Sequence, residues 1–300
     1  MRNLWEVNVR RGWAFGLGIV IFLVGATIAL VVWAAVQPIS IWTFLKSLGA
    51  LALLALSIWV VYQLWGLTNA SYEMDRNAVV IHWGSIDYQI PMASVQAVFS
   101  GAELKGLRMR PGLRWPGHFV GTGATDDAGM VLFYATQPRE RTVVIRTAGM
   151  AYAISPDDME EFLQAFKERL EMGPTQEVEE HSTHPSFLDW EIWRDRIGML
   201  TLSGSMILLV LLVGLLCLSY PYLPEDLVLR FTSQSEPLLV VKTPRIFYLP
   251  LVGTIFLLLN STLGFLLYHR ERLACYLLWI GLLVVQSGLW TAVLTILLRQ

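Results

Sequence analysis

Charge is scarce in this sequence. Only 15% of its 300 residues are charged, 55% are hydrophobic, and the mean hydropathy is +0.52, a balance that water-soluble domains do not reach. The chain is expected to live in a bilayer. Its formal net charge of −2 leaves no global basic field of the kind that draws nucleic acid. Cysteine is nearly absent: Cys217 and Cys275 are the only two, which excludes a disulfide framework, and the topology below sends them toward opposite membrane faces, so both are expected reduced. Catalytic signatures are missing as well. No G-x-S-x-G, P-loop, H-E-x-x-H or C-x-x-C pattern occurs, and no cofactor is expected.

What is present is a set of five long apolar runs that contain no Asp or Glu: Trp13–Val36, Ile41–Gly66, Ile197–Tyr220, Phe247–Tyr268 and Ala274–Leu298. As a helix, the first would measure about 36 Å at ~1.5 Å per residue, enough to cross a hydrocarbon core of ~30 Å with tilt. It is too long for a signal-peptide core and no A-x-A site follows, so it is expected to be retained as an anchor. Gln37-Pro38-Ile39-Ser40 is a tight turn that returns the second span antiparallel to the first. Lys46 is the only charge in that span and sits close enough to its start to snorkel to the interface. The absence of intramembrane acids argues against an ion-coupled transporter. Asn260, Ser261, Thr262 and Gln286 are the polar residues at depth, and they read as inter-helix hydrogen-bonding groups.

Residues 67–196 differ, with 12 Lys/Arg against 19 Asp/Glu, a balance of −7. Short alternating runs are punctuated by Gly, Pro, Asn and Asp: AVVIHW, then Ile86–Ile90 after a Gly84-Ser85 hairpin signal, then Val95–Ser100, His118–Thr122, Met130–Ala135, Thr142–Arg146 and Ala151–Ile154. A helix follows, with Met159, Phe162, Leu163, Phe166 and Leu170 on one face and Glu160, Glu161, Lys167 and Glu168 on the other. Ser155 reads as its cap, Pro156 as its first residue and Asp158 as completing an S-x-x-D capping box. Seven or eight strands and one amphipathic helix predict a small β-sandwich or barrel with a helix covering one end.

Ile90-Pro91 with Val95 and Val98, Gly121-Thr122-Gly123, Tyr134-Ala135-Thr136, and Tyr152-Ala153-Ile154-Ser155-Pro156-Asp157-Asp158 with Phe162 resemble the bacterial pleckstrin-homology-like domains over residues 70–170. The resemblance implies a seven-stranded, orthogonally packed β-sandwich with a C-terminal helix. It implies a scaffold for binding and assembly rather than one reaction. A second resemblance covers about 221–260, where Leu227–Phe231 and Leu238–Lys242 read as a hairpin outside the membrane. That stretch is similar to an uncharacterised bacterial membrane domain also found in immunity proteins against secreted killing peptides. This chain has Arg230 and Ser235 where that family usually shows His and Gly.

Two groups of side chains invite a site. Glu177, Glu179, Glu180, His181 and His184 lie in the polar linker Gly173–Pro185 without ligand spacing, so they read as solvated linker and no metal site is expected. Lys105, Arg108, Arg110 and Arg114 form a basic run followed by Trp115 in an otherwise acidic region. Held under a membrane, that loop would meet anionic headgroups, each nearby charge contributing ~1 kcal/mol. A protein partner, a solvated loop, or pairing with the acidic helix face are the other readings.

The predicted architecture is a multi-span α-helical membrane protein with five transmembrane helices and an inserted pleckstrin-homology-like β-sandwich or barrel plus C-terminal helix. Residues 1–66 hold an N-terminal interfacial segment and spans one and two, 67–172 the pleckstrin-homology-like domain, 173–196 a linker and a short interfacial helix at Phe187–Arg196, and 197–300 spans three to five with an outer hairpin at 221–246. Arg2, Arg10, Arg11, Arg76, Arg194, Arg196, Arg270 and Arg272 flank one face, against Arg230, Lys242, Arg245 and Arg299 on the other. This places the N-terminus and the soluble domain in the cytoplasm, and the C-terminus outside the inner (plasma) membrane. The predicted function is non-catalytic binding, scaffolding or sensing. Its partners are the bilayer and either a cytoplasmic protein or anionic lipid. The rival is a small-molecule or peptide transporter, or an immunity-type protein that uses the outer hairpin.

Overall fold

The computed structural model describes residues 3–104, 106, 108–110, 114–126, 129–176, 178, 181–183, 191–229 and 239–298. Among them are five helices long and apolar enough to cross a membrane: α1 (Arg10–Ala35), α2 (Ile41–Thr68), α4 (Arg196–Ser219), α5 (Tyr248–Leu267) and α6 (Arg272–Leu297). The chain divides into two compact units, one of Met1–Ala26 with Leu53–Ser186, the other of Thr27–Ala52 with Phe187–Gln300.

The first unit contains two sheets. One has five strands in the order β1 (Asn3–Trp5), β2 (Ser71–Met74), β3 (Ala78–Trp83), β4 (Ile86–Pro91), β11 (His181–Thr183). The other runs β5 (Val95–Ser100), β9 (Val143–Thr147), β10 (Ala151–Ile154), β8 (Gly129–Ala135), β7 (Phe119–Thr125), β6 (Arg108–Met109). Every pairing is antiparallel except β8 with β10, where Val131 faces Ala151 in parallel register. Alternation explains the core: Val79, Ile81 and Trp83 of β3 are buried on one face, as the period-2 pattern requires. Gly84 turns the β3–β4 hairpin with φ +64°, a conformation that costs glycine nothing.

Residues 70–170 hold nine strand segments rather than seven or eight. The two extra ones, Ser71–Met74 and the two-residue Arg108–Met109, are too short to display a period. Asn3–Trp5, read in the sequence as an interfacial segment, pairs with β2, and its Trp5 is buried edge-on against Phe162, with ring centroids 5.5 Å apart. The linker is partly docked rather than solvated throughout. Asn77 Oδ1 accepts from Thr175 N and Gln176 N, Arg76 donates to the carbonyls of Met172 and Gly173, and His181–Thr183 becomes an edge strand on β4. Glu177, Glu179, Glu180 and His184 lie outside the described residues.

Helix α3 (Met159–Met172) buries Phe162 and Phe166 against this core, with Met159 and Leu163 half-buried, while Leu170 is exposed and falls off the stripe. Its cap differs from the expectation. Asp158 is the N-cap, accepting from Glu161 N at 2.9 Å, whereas Ser155 is fully buried three residues before it. Ser155 Oγ accepts from Thr136 N at 2.7 Å, and Ser155 N donates to Tyr72 Oη, which donates to Tyr134 O at 2.6 Å. Ser155 thus ties β10 to the end of β8 and to β2. A buried hydroxyl with such partners is unavailable for capping.

In the second unit, α4, α5 and α6 pack around Trp279, which is fully buried. Glycine makes the room: a Cβ on Gly264 would lie 2.3 Å from Trp279 Nε1, and one on Gly198 would lie 2.5 Å from its ring. Gln286 is buried and donates across helices to Gly253 O at 3.2 Å, as expected of a polar residue at depth. Asn260 instead bonds Phe256 within its own helix. Asp195 caps α4 through Ile197 N and Gly198 N and also accepts from Tyr268 and Tyr276. Lys46 sits over the Trp33 ring at 3.8 Å and bonds the Gln37 amide oxygen. Strands β12 (Asp226–Leu229) and β13 (Leu239–Lys242) form the expected hairpin; its turn, with Arg230 and Ser235, lies outside the described residues. Cys217 and Cys275 are buried thiols. Of the predicted interfacial helix, Glu191–Arg194 is a single 3-10 turn and 187–190 lie outside the described residues.

Candidate functional site

The basic loop leads into and out of the edge strand β6, where Arg108 pairs with Ala124 and Met109 with Gly123. Arg108 and Arg110 are exposed, Arg114 is half-buried and donates to Arg110 O, and Lys105 lies outside the described residues. Gly106, at φ +64°, packs so close to Asp126 that a Cβ there would lie 1.9 Å from the carboxylate. An acid from the start of the β7–β8 turn thus stands beside the loop. Of the described residues of the run, Arg108 and Arg110 offer exposed guanidiniums at an edge strand, a form of charge that suits a flat anionic surface.

The loop is continuous with the feature that defines the first unit, a seam between the β-sheets and the ends of α1 and α2. After Arg114 the chain makes a tight turn, with His118 N bonded to Trp115 O at 2.9 Å and Gly117 at φ +86°. Trp115 Nε1 donates to Gly12 O on α1 at 2.7 Å. The backbones touch: a Cβ on Gly12 would fall 2.2 Å from Gly117 O, and one on Gly117 would fall 2.2 Å from Gly12 N. A second contact joins α2 to the β3–β4 hairpin, where a Cβ on Gly84 would lie 2.9 Å from Gly66 Cα. Leu23, Val60, Leu64 and Leu67 of the two helices belong to the same buried cluster as Trp83, Trp115, Tyr134 and Phe162. The sheets and the helix ends therefore share one core.

His118 is sealed within this seam. It is fully buried, its ring stacks on Trp115 at 4.1 Å, Trp83 meets it edge-on at 6.1 Å, and among the described residues neither ring nitrogen has a hydrogen-bond partner. Burial pushes its pKa down to about 4, so the imidazole is neutral at neutral pH. Nearby, burial pushes the Tyr72 phenol up to about 12 and raises Tyr134 further, with Tyr88 adding to the latter. These are packed core groups. Among the described residues no group of three or more His, Cys, Asp or Glu is placed to hold a metal ion.

Among the described residues this unit carries a concavity of about 590 Å³ at Asn3–Glu6, Asp157, Asp158 and Glu161, and a larger one beside the seam. The larger is a cleft of about 1050 Å³, bordered by Asn8 and Arg11, the Pro116–Gly117 turn, the 136–138 turn with Arg141, and the first residues of α3. Sequence reasoning missed it because its walls come from four separate stretches of chain. Its one local signal is the Arg10-Arg11 pair, which in the sequence reads as the flank of the first span.

Residues 70–170 match the family model of the bacterial PH domain. That is the region and the family to which the sequence resemblance pointed. Comparison with curated proteins and with solved structures returns no match.

Proposed function

We propose that this chain is an integral membrane protein that carries its PH module on the cytoplasmic face as a non-catalytic binding, scaffolding or sensing element. In this reading the five apolar helices span the inner membrane, residues 67–172 are the module, and Lys105, Arg108, Arg110 and Arg114 are its surface toward anionic headgroups. The observation that carries the reading is the shared core. Because Gly12 and Gly66 bring α1 and α2 into backbone contact with the module, the module is held at the helix ends rather than hung from a flexible tether. If those helices span, the basic loop, one residue from Trp115, is held near the leaflet, where screening of ~8 Å would otherwise hide its charges. The −7 balance of residues 67–196 makes any attraction local to the loop.

The test uses the whole chain in nanodiscs. A polarity-sensitive dye on Arg110→Cys, in a background with Cys217 and Cys275 replaced by Ser, should shift to the blue in discs containing anionic lipid. It should shift less in neutral discs, and the difference should shrink as salt rises several-fold. An identical spectrum in both lipids at low salt would remove lipid as the loop's target.

A further inference from the structure

The cleft beside the seam carries charge of both signs. Arg11, in the first turn of α1, and Arg141, after the 136–138 turn, supply two guanidiniums; Asp157 and Glu160, at the start of α3, supply two carboxylates. Asp158 also lines it but is engaged as the helix cap. Among the described residues none of the other four side chains has a hydrogen bond or ion pair with the protein, and all four are exposed to the cleft's solvent. The positive end of the 14-residue helix α3 opens at the same place. Two cations and two anions around one concavity do not suit a simple anion, which the carboxylates would repel, or a simple cation. They suit a small zwitterion.

We propose that this cleft binds the headgroup of an aminophospholipid, the phosphate meeting Arg11 and Arg141 and the primary ammonium meeting Asp157 and Glu160. The inference rests on the membrane reading above, because the location of Arg11 then selects a lipid over a free metabolite. Arg11 belongs to the first turn of a helix whose next residues, Trp13 and Phe15, are 44% and 54% exposed and apolar. If α1 spans the bilayer, Arg11 lies at headgroup depth and those rings lie where acyl chains run. A lipid seated here would contact α1, the 116–117 turn and α3 together, the same elements that the seam joins. A primary ammonium has three N–H donors for the carboxylates. A trimethylated ammonium has none, so the cleft separates two lipids of identical phosphate and zero net charge.

The experiment measures lipid retained by the full-length chain after detergent exchange, by native mass spectrometry, from equal mixtures of phosphatidylethanolamine and phosphatidylcholine. Because both lipids are neutral overall, the basic loop does not bias the ratio. Retention should favour phosphatidylethanolamine by about tenfold, the worth of one charge-assisted hydrogen bond. In Asp157→Asn with Glu160→Gln the ratio should fall to near one. In Arg11→Gln with Arg141→Gln both lipids should be lost together, and Arg108→Gln with Arg110→Gln should leave the ratio unchanged. Because the altered residues are exposed, thermal unfolding should not move. Equal retention of the two lipids by the native chain, or a ratio indifferent to the Asp157 and Glu160 changes, overturns the proposal. Displacement of the lipid by micromolar glycerophosphoethanolamine would also overturn it, by making the free headgroup the ligand. The membrane reading is scored separately: release of the chain from membranes by alkaline carbonate overturns that reading whatever the lipid ratio.

Discussion

A single methyl group at Gly12 should cost about as much as a core truncation. In Gly12→Ala the new Cβ would stand 2.2 Å from Gly117 O and 2.8 Å from its carbonyl carbon. Both are backbone atoms, so no side chain can rotate away. Restoring an ordinary contact requires α1 and the 115–118 turn to part by about 1 Å, and overpacking of this kind costs about 1–3 kcal/mol. The same movement stretches the Trp115–Gly12 hydrogen bond, now 2.7 Å, whose loss adds about 1 kcal/mol. The expected total is about 2–4 kcal/mol. Gly18→Ala is the matched control: it lies on the same helix, nothing stands within 4 Å of its added Cβ, and alanine favours the helix by up to ~1 kcal/mol. Thermal unfolding of the two full-length variants in one detergent, followed by tryptophan emission, makes the comparison, since Trp115 and Trp83 sit at the seam. Gly12→Ala should melt several degrees below the native chain and Gly18→Ala at or above it. Coincident melting of the two variants would refute the claim that helix and module meet backbone to backbone.

Three further outcomes follow from the same packing. Phe162→Ala removes a fully buried ring and should cost about 3–5 kcal/mol, whereas Glu161→Ala on the exposed face should stay within ~0.5 kcal/mol; equal losses in a denaturant titration would mean that α3 is not docked as described. Asp158→Ala should cost about 1 kcal/mol for the lost cap, and Ser155→Ala more, because it leaves the buried Thr136 N–H without an acceptor; the reverse order would restore Ser155 as the cap. His118 has its pKa depressed from 6.5 to about 4, so the unfolded chain takes up this proton first. Stability tied to neutral His118 is whole above pH 6.5 and is lost as pH falls from 6.5 toward 4, by on the order of 3 kcal/mol. His118→Phe, which keeps the stacking on Trp115, should lose less over that interval, and parallel pH profiles of the two chains would count against a sealed imidazole.

The long-period features of this protein were legible in its sequence, and the short and distant ones were not. Five long apolar runs without Asp or Glu announce five helices to within a few residues, and Phe162 and Phe166 mark the buried face of α3, because a 20-residue run or a 3.6-residue stripe repeats often enough to be read. Asn3–Trp5 and His181–Thr183 are three residues each, too short for a period of two, and their pairing is set by the strands beside them. Ser155 misleads because a serine before a helix and a serine in a buried network look alike in one dimension; only the position of Thr136 and Tyr72 separates them. The seam glycines and the cleft depend on contacts such as Gly12 with Gly117, and on Arg11 facing the same concavity as Arg141, more than a hundred residues away along the chain. The basic loop was legible as charge, but the placement of Arg108 on the edge strand β6 was not.

The central claim is that α1 and α2 cross the membrane and hold the PH module on its cytoplasmic face. It is tested most directly by fusing an enzyme reporter that is active only outside the cytoplasm to the end of the chain, after Gln300, and separately to a chain ended at Gly173. With five spans and arginine-rich flanks inside, the account predicts activity after Gln300 and silence after Gly173. Activity at Gly173 with silence at Gln300 would contradict it.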